Sequence, residues 1–181
     1  MPSVFTHAAV PLALWCASER GRISTRLLGA GIAAAMLPDA DVLAFALHIP
    51  YADAFDHRGA SHSLLFACLP AASALLLHRQ LHAGRRQALA FVFACALSHP
   101  LLDALTSGGL GVVLWWPWSD ARLFAPWRPI RVSPFANAFF SARGLQTVLS
   151  ELRWVWLPLA LAVLGWRMIQ SPAGASGRAP D

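Results

Sequence analysis

Apolar residues come in runs along this chain, and the runs are too long for strands. Four approach the length of a membrane span, and a fifth is shorter. A helix needs about 20 mostly apolar residues to cross the hydrocarbon core. The runs are Val4–Ser18, short for a full span; Leu27–Ile49, interrupted by LPDAD at Leu37–Asp41; Ser63–Leu77; Gln87–Leu105; and Leu152–Ile169. None shows the strict alternation of a half-buried strand. The expected fold is all-α: a polytopic membrane helical bundle of about five hydrophobic helices. A Trp-, Pro- and Arg-rich stretch, Thr106–Ser150, is expected on its outer side. Residues 1–170 read as one membrane-embedded domain, and 171–181, rich in Pro, Gly, Ala and Ser, as a disordered tail.

Composition sharpens this picture. Of the 181 residues, 57% are hydrophobic and 13% charged. A soluble domain is about a quarter charged, so a soluble enzyme, a disordered chain and a coiled coil are all poor fits. The net charge is +5, and all 14 basic residues are Arg. Such a balance can mark a nucleic-acid binder. Here, however, the arginines sit in clusters between apolar runs, as loop markers do in membrane proteins, so no nucleic-acid partner is expected. Cys16, Cys68 and Cys95 all lie within apolar runs and form no CxxC pair, which makes them packing residues. Arg20 is the first basic residue and follows the first apolar run, so a cleavable leader is not expected.

The Arg clusters also orient the chain. Arg20, Arg22 and Arg26 separate the first two runs, and Arg79, Arg85 and Arg86 separate the third and fourth. Short Arg-rich connections favour the cytoplasm. The N-terminus, the loop 50–62 and the long stretch Thr106–Ser150 then fall on the outer side. Trp115, Trp116, Trp118 and Trp127 suit the lipid–water interface there.

Ionisable groups at membrane depth cost several kcal/mol unless paired, hydrated or bound to metal. On the topology above, His7, Asp39, Asp41, His57, His62, His99 and Asp103 all fall at the outer side. His99 and Asp103 are four apart and share a helical face. Pro38 precedes the alternate pair Asp39 and Asp41, and a helix broken there aims carboxylates into a cavity. HRGASHS places His57 and His62 around Gly59. Imidazole with carboxylate is a zinc ligand set, also usable by manganese or iron. These seven residues are the candidate metal ligands. His78 and His82 sit with the opposite Arg cluster and read as loop residues; His48 is ambiguous; Asp53 and Asp56 read as hydrated loop carboxylates. Thr106, three after Asp103, either supports that carboxylate or caps the helix end.

THAAVPLAL, LPDAD, HRGASHS, SHPLLDALTSGG and RLFAPWRPIRVSPF together resemble the YdjM-like family of bacterial inner-membrane metal-dependent hydrolases, over about residues 1–140. The order His, Asp, His, HxxxD is also distantly similar to the zinc-dependent phospholipase C and nuclease group, an all-helical fold. That likeness implies His7, one of Asp39 and Asp41, His62 and the His99–Asp103 pair as ligands. No histidine follows His99, so that group's second His-xxx-Glu pair has no counterpart, and the likeness implies one or two metals, not three.

The expected function is therefore a membrane-bound metal-dependent hydrolase acting on an anionic phosphoester or lipid-linked substrate. Asp39 or Asp41 would serve as base or water orienter, and Arg58, with Arg128 or Arg131, would neutralise charge on a phosphate. Two other classes compete. A metal-ion or proton transporter also places Asp and His in the membrane, but the polar groups cluster on one side and do not repeat in the second half. A regulatory membrane protein with a structural metal would have a site closed to solvent and no need of Arg58 near substrate.

Overall fold

The computed structural model describes residues 1–42, 57–134 and 136–170. The described residues are helical: α1 (Val4–His7), α2 (Ala9–Ala17), α3 (Thr25–Met36), α4 (Leu64–Leu76), α5 (Arg85–Ala104), α6 (Ala142–Glu151) and α7 (Leu157–Gln170). Serines start two of them. Ser24 Oγ accepts the Leu27 amide at 3.0 Å, and Ser63 Oγ accepts that of Phe66 at 3.0 Å, each filling one of the open amides of a first turn. Past Met36 the chain tightens into a 3₁₀ turn, Leu37–Val42, with Pro38 at its start.

Helix α5 is central and packs against α3 and α4. Small residues make this possible: Ala34, Ala35, Ala67, Ala74, Ala88 and Ala96 are all buried there. Where side chains are small, backbones approach closely. Gly31 marks the closest approach, since a Cβ at that position would lie 2.5 Å from Phe91 Cε1 and 2.9 Å from Cys95 Sγ. Cys16 and Cys68 are exposed and Cys95 is buried, all three as free thiols.

Among the described residues, two helices and not the expected number of about five are long and apolar enough to span a membrane: Arg85–Ala104 and a continuous 29-residue helix, Ala142–Gln170. The second joins α6 to α7 through a π turn, Leu152–Trp156, so the last helix begins ten residues before the apolar run at Leu152. Val4–Ala17 and Leu64–Leu76 are apolar but shorter. At about 1.5 Å per residue, neither reaches the ~30 Å of the hydrocarbon core. In the run Leu27–Ile49, α3 stops at Met36, and residues 43–49 lie outside the described part. So do His48, Asp53, Asp56 and the tail 171–181.

The bundle has two chemically distinct ends. At one end, Arg26 Nη1 donates to the Gln80 carbonyl at 3.2 Å and lies 3.2 Å from His82 Nε2, while Arg85 Nε donates to His78 Nε2 at 3.4 Å. His78 and His82 are thus turn residues among arginines. At the other end, the segment after α5 folds back without forming a strand among the described residues. It pairs Thr106 with Ile130 and Val112 with Leu123. Its amides and carbonyls also tie down the loop before α4: Val113 N donates to Arg58 O at 3.1 Å, and Leu64 N to Leu114 O at 2.9 Å.

Candidate metal centre

Four separate segments deliver side chains to this second end. His7 closes α1, Asp39 sits in the 3₁₀ turn, His62 ends the short turn Ala60–His62, and α5 contributes His99 and Asp103 from successive turns. His7 Nε2 is 3.7 Å from both Asp39 Oδ2 and Asp103 Oδ1. His99 Nε2 is 3.5 Å from Asp39 Oδ1 and 3.0 Å from His62 Nε2. His62 Nε2 is 3.2 Å from Asp103 Oδ2. The His7 and His99 rings stack with centroids 3.7 Å apart. Two overlapping triplets, His7–His99–Asp103 and Asp39–His62–His99, hold ligand atoms within 4.8 Å of one another.

This arrangement suits a cation. Both ring nitrogens of His7 and both carboxylate oxygens of Asp39 and Asp103 are buried with no hydrogen-bond partner. Leaving such atoms without partners costs several kcal/mol each. Asp103 finds some compensation in Arg58, whose Nε lies 3.1 Å from Oδ2. Neither His7 nor Asp39 has an equivalent partner, and their imidazole and carboxylate chemistry is that of zinc-type ligands.

A surrounding layer orients these side chains. His99 Nδ1–H donates to the Ala35 carbonyl at 2.7 Å, which leaves the Nε2 lone pair facing the cluster. His62 is held the same way, its Nδ1 lying 3.2 Å from Asp41 Oδ2. Asp41 also accepts from His57 Nδ1 at 2.6 Å, Ser61 Oγ at 2.6 Å and the Arg58 amide at 3.1 Å. Asp41 and His57, both expected among the ligands, thus stand one layer out. Burial opposes the charged form of His62, but the neighbouring Asp103 and Asp41 carboxylates outweigh it and push its pKa up to about 9.

Arg58 has a different setting from the substrate-facing one expected. Its guanidinium is buried, and each of its three nitrogens meets a protein oxygen. Besides the Asp103 pair, Nη1 donates to the Gly108 carbonyl at 2.9 Å and Nη2 to Thr106 Oγ1 at 2.8 Å. Burial draws its pKa down, and the Asp103 carboxylate opposes that. The loop bends sharply to reach this position, with Arg58 at φ 70°, a backbone region costly for a side-chain-bearing residue. Gly109 gives it room, for a Cβ there would lie 2.8 Å from Arg58 Nη1. Thr106 also donates to the Asp103 carbonyl at 2.7 Å. Arg128 and Arg131 are exposed and engaged elsewhere, Arg128 over the Phe124 ring at 4.7 Å and Arg131 donating to Gln146 Oε1 at 3.2 Å.

Sequence reasoning did not single out Ser61, the Ala35 carbonyl or the Gly108 carbonyl. Ser61, between two histidine positions in HRGASHS, carried a readable signal in its hydroxyl. The two carbonyls carried none, because every residue has one.

This centre lies wholly within the part of the chain that matches known proteins. The family model described as YdjM inner membrane protein matches residues 1–173. Inner membrane protein YbcI of Escherichia coli (strain K12) is 48% identical over 171 residues, covering 92% of this chain and 99% of that protein. No solved structure matches the chain. With a bundle of apolar helices, a polar cluster at one end and this extent of similarity, the chain belongs to the YdjM family of inner membrane proteins.

Proposed function

We propose that this protein is a metal-dependent hydrolase of the bacterial inner membrane, acting on a phosphoester or lipid-linked anionic substrate. One observation carries the reading: six buried nitrogen and oxygen atoms of His7, Asp39 and Asp103 lack hydrogen-bond partners and lie beside His62 and His99. His7, Asp39, His62, His99 and Asp103 would hold one or two divalent ions, zinc before manganese or iron. Such an ion, when bound, acidifies water to near neutrality and polarises a phosphoryl oxygen. The chain's own residues would do the rest. Asp39 serves as a ligand in this arrangement, which leaves the Asp41–His57 pair, hydrogen-bonded at 2.6 Å, to take up and release a proton. Arg58 holds the Asp103 carboxylate in place. Short Arg-rich turns favour the cytoplasm for the opposite end; on this reading the chain would cross the membrane more than once, with this centre on the outer side.

A second reading has its own support. His7, His62, His99 and Asp103 are fully buried, and Arg58 has a structural occupation. Both features suit a structural metal in a regulatory membrane protein. The two readings separate on one experiment: metal analysis of purified protein, then a panel of phosphatase, phosphodiesterase and lipase substrates. Metal-dependent turnover that disappears in Asp41→Asn while metal is retained supports hydrolysis. Stoichiometric metal, with no turnover on any substrate and a large loss of stability on chelation, supports the structural role.

A further inference from the structure

The continuous helix Ala142–Gln170 carries a single acidic residue, Glu151, just where an apolar membrane helix is expected to exclude one. It is 2% exposed. Its carboxylate is completely occupied by the N-terminal segment. Oε1 accepts the Ser3 amide, and Oε2 accepts Ser3 Oγ at 2.6 Å and Thr6 Oγ1 at 2.8 Å. Trp156 Nε1 donates to the same Thr6 Oγ1 at 3.0 Å. Thr6 is fully buried and immediately precedes His7.

The local backbone explains how two residues of one helix reach a single hydroxyl. Glu151 and Trp156 are five apart. On an α-helix such a pair points about 140° apart. The π turn Leu152–Trp156 widens the helix so that positions five apart come nearly into line. A π turn sacrifices regular packing, and it occurs just at this contact. Ala9 and Val155 lie in one buried apolar cluster beside it, so the clasp closes over a packed seam.

We infer that Glu151 and Trp156, acting through Thr6, form a clasp that fixes the His7 imidazole in the ligand cluster and couples it to the C-terminal membrane helix. Both ring nitrogens of His7 lack hydrogen-bond partners, so no side-chain bond orients the ring; its placement is left to stacking on His99 and to the backbone that Thr6 anchors. Glu151 is a positioning residue on this account, and its effect on metal binding rests on the metal reading above.

The test uses the full chain in detergent, labelled with ¹⁵N-histidine and stripped of metal, followed by titration with Co²⁺. The Thr6→Val and Glu151→Gln variants should shift the His7 imidazole resonances while those of His78 and His82, at the opposite end, stay in place. Thr6→Ser, which keeps the hydroxyl, should restore the wild-type spectrum. Cobalt affinity should fall about tenfold or more in Thr6→Val, as with other groups that orient ligands, and recover in Thr6→Ser. Unchanged His7 resonances in Thr6→Val would overturn the clasp, as would a Thr6→Ser variant as perturbed as Thr6→Val. If His7 moves as expected but the wild type takes up no cobalt, the clasp stands and the metal reading falls.

Discussion

Asp103 meets Arg58 and His62 at Oδ2 and His7 at Oδ1. Breaking a buried pair by removing one partner costs about 3–5 kcal/mol, because the remaining charge is stranded. Arg58→Met should therefore lower the thermal midpoint of chelator-treated protein sharply, and lower it less once a divalent ion compensates Asp103; equal losses in both conditions would contradict this. His62 supplies a pH dependence. With a pKa of about 9, it is protonated at neutral pH in metal-stripped protein, whereas a ligand imidazole must be neutral. Burial also pushes the Asp39 carboxyl up to about 8, so metal binding at pH 7 should release about two protons, and affinity should rise up to about a hundredfold per pH unit below pH 8 and about tenfold from there to pH 9. Calorimetry in buffers of different ionisation enthalpy reads the total released. These groups were legible in the sequence because an ionisable residue in an apolar run demands a partner. What the sequence could not order was their layering. Asp39 and Asp41 are the same residue type two positions apart, and only the turn's direction sends one towards His7 and the other towards His57. Arg58 read as a phosphate-neutralising charge, whereas the loop's left-handed bend turns it onto Asp103.

At the scale of the element, hydrophobic runs located the helices well, with α5 within two residues at its start and one at its end. They overstated how many described helices are long enough to span, since Val4–Ala17 and Leu64–Leu76 fall short of a span and α3 stops at Met36, before the LPDAD turn. The continuity of α6 with α7 was hidden because α6 is polar on one face and reads as loop beside the Trp- and Pro-rich stretch. Close packing of α3 on α5 gives a clean test. Gly31→Val puts a side chain within 2.5 Å of Phe91 Cε1 and should cost about 1–3 kcal/mol, seen as a lower melting temperature in detergent. Gly165→Ala, where nothing lies within 4 Å of the added carbon, should leave it nearly unchanged. A similar response at both positions would mean that α3 and α5 do not meet as described.

The whole molecule is polarised between its two ends. Arginines cluster where Arg26 meets His82, and the ligand cluster lies at the far ends of α3 and α5. The sequence revealed this separation because each short loop marks its side independently of the buried residues. In a background lacking Cys16, Cys68 and Cys95, cysteine at Arg79 should be shielded from a membrane-impermeant maleimide in intact cells. Cysteine at Ser119, in the segment that follows α5, should react. The reverse pattern would place the centre on the cytoplasmic face. Elemental analysis of the purified protein, after exposure to zinc and extensive dialysis, asks whether the cluster holds a cation. Wild type should retain at least one ion per chain, and His99→Ala and Asp103→Ala should retain none. Equal metal in all three proteins, or none in the wild type, would contradict a shared cation at this cluster.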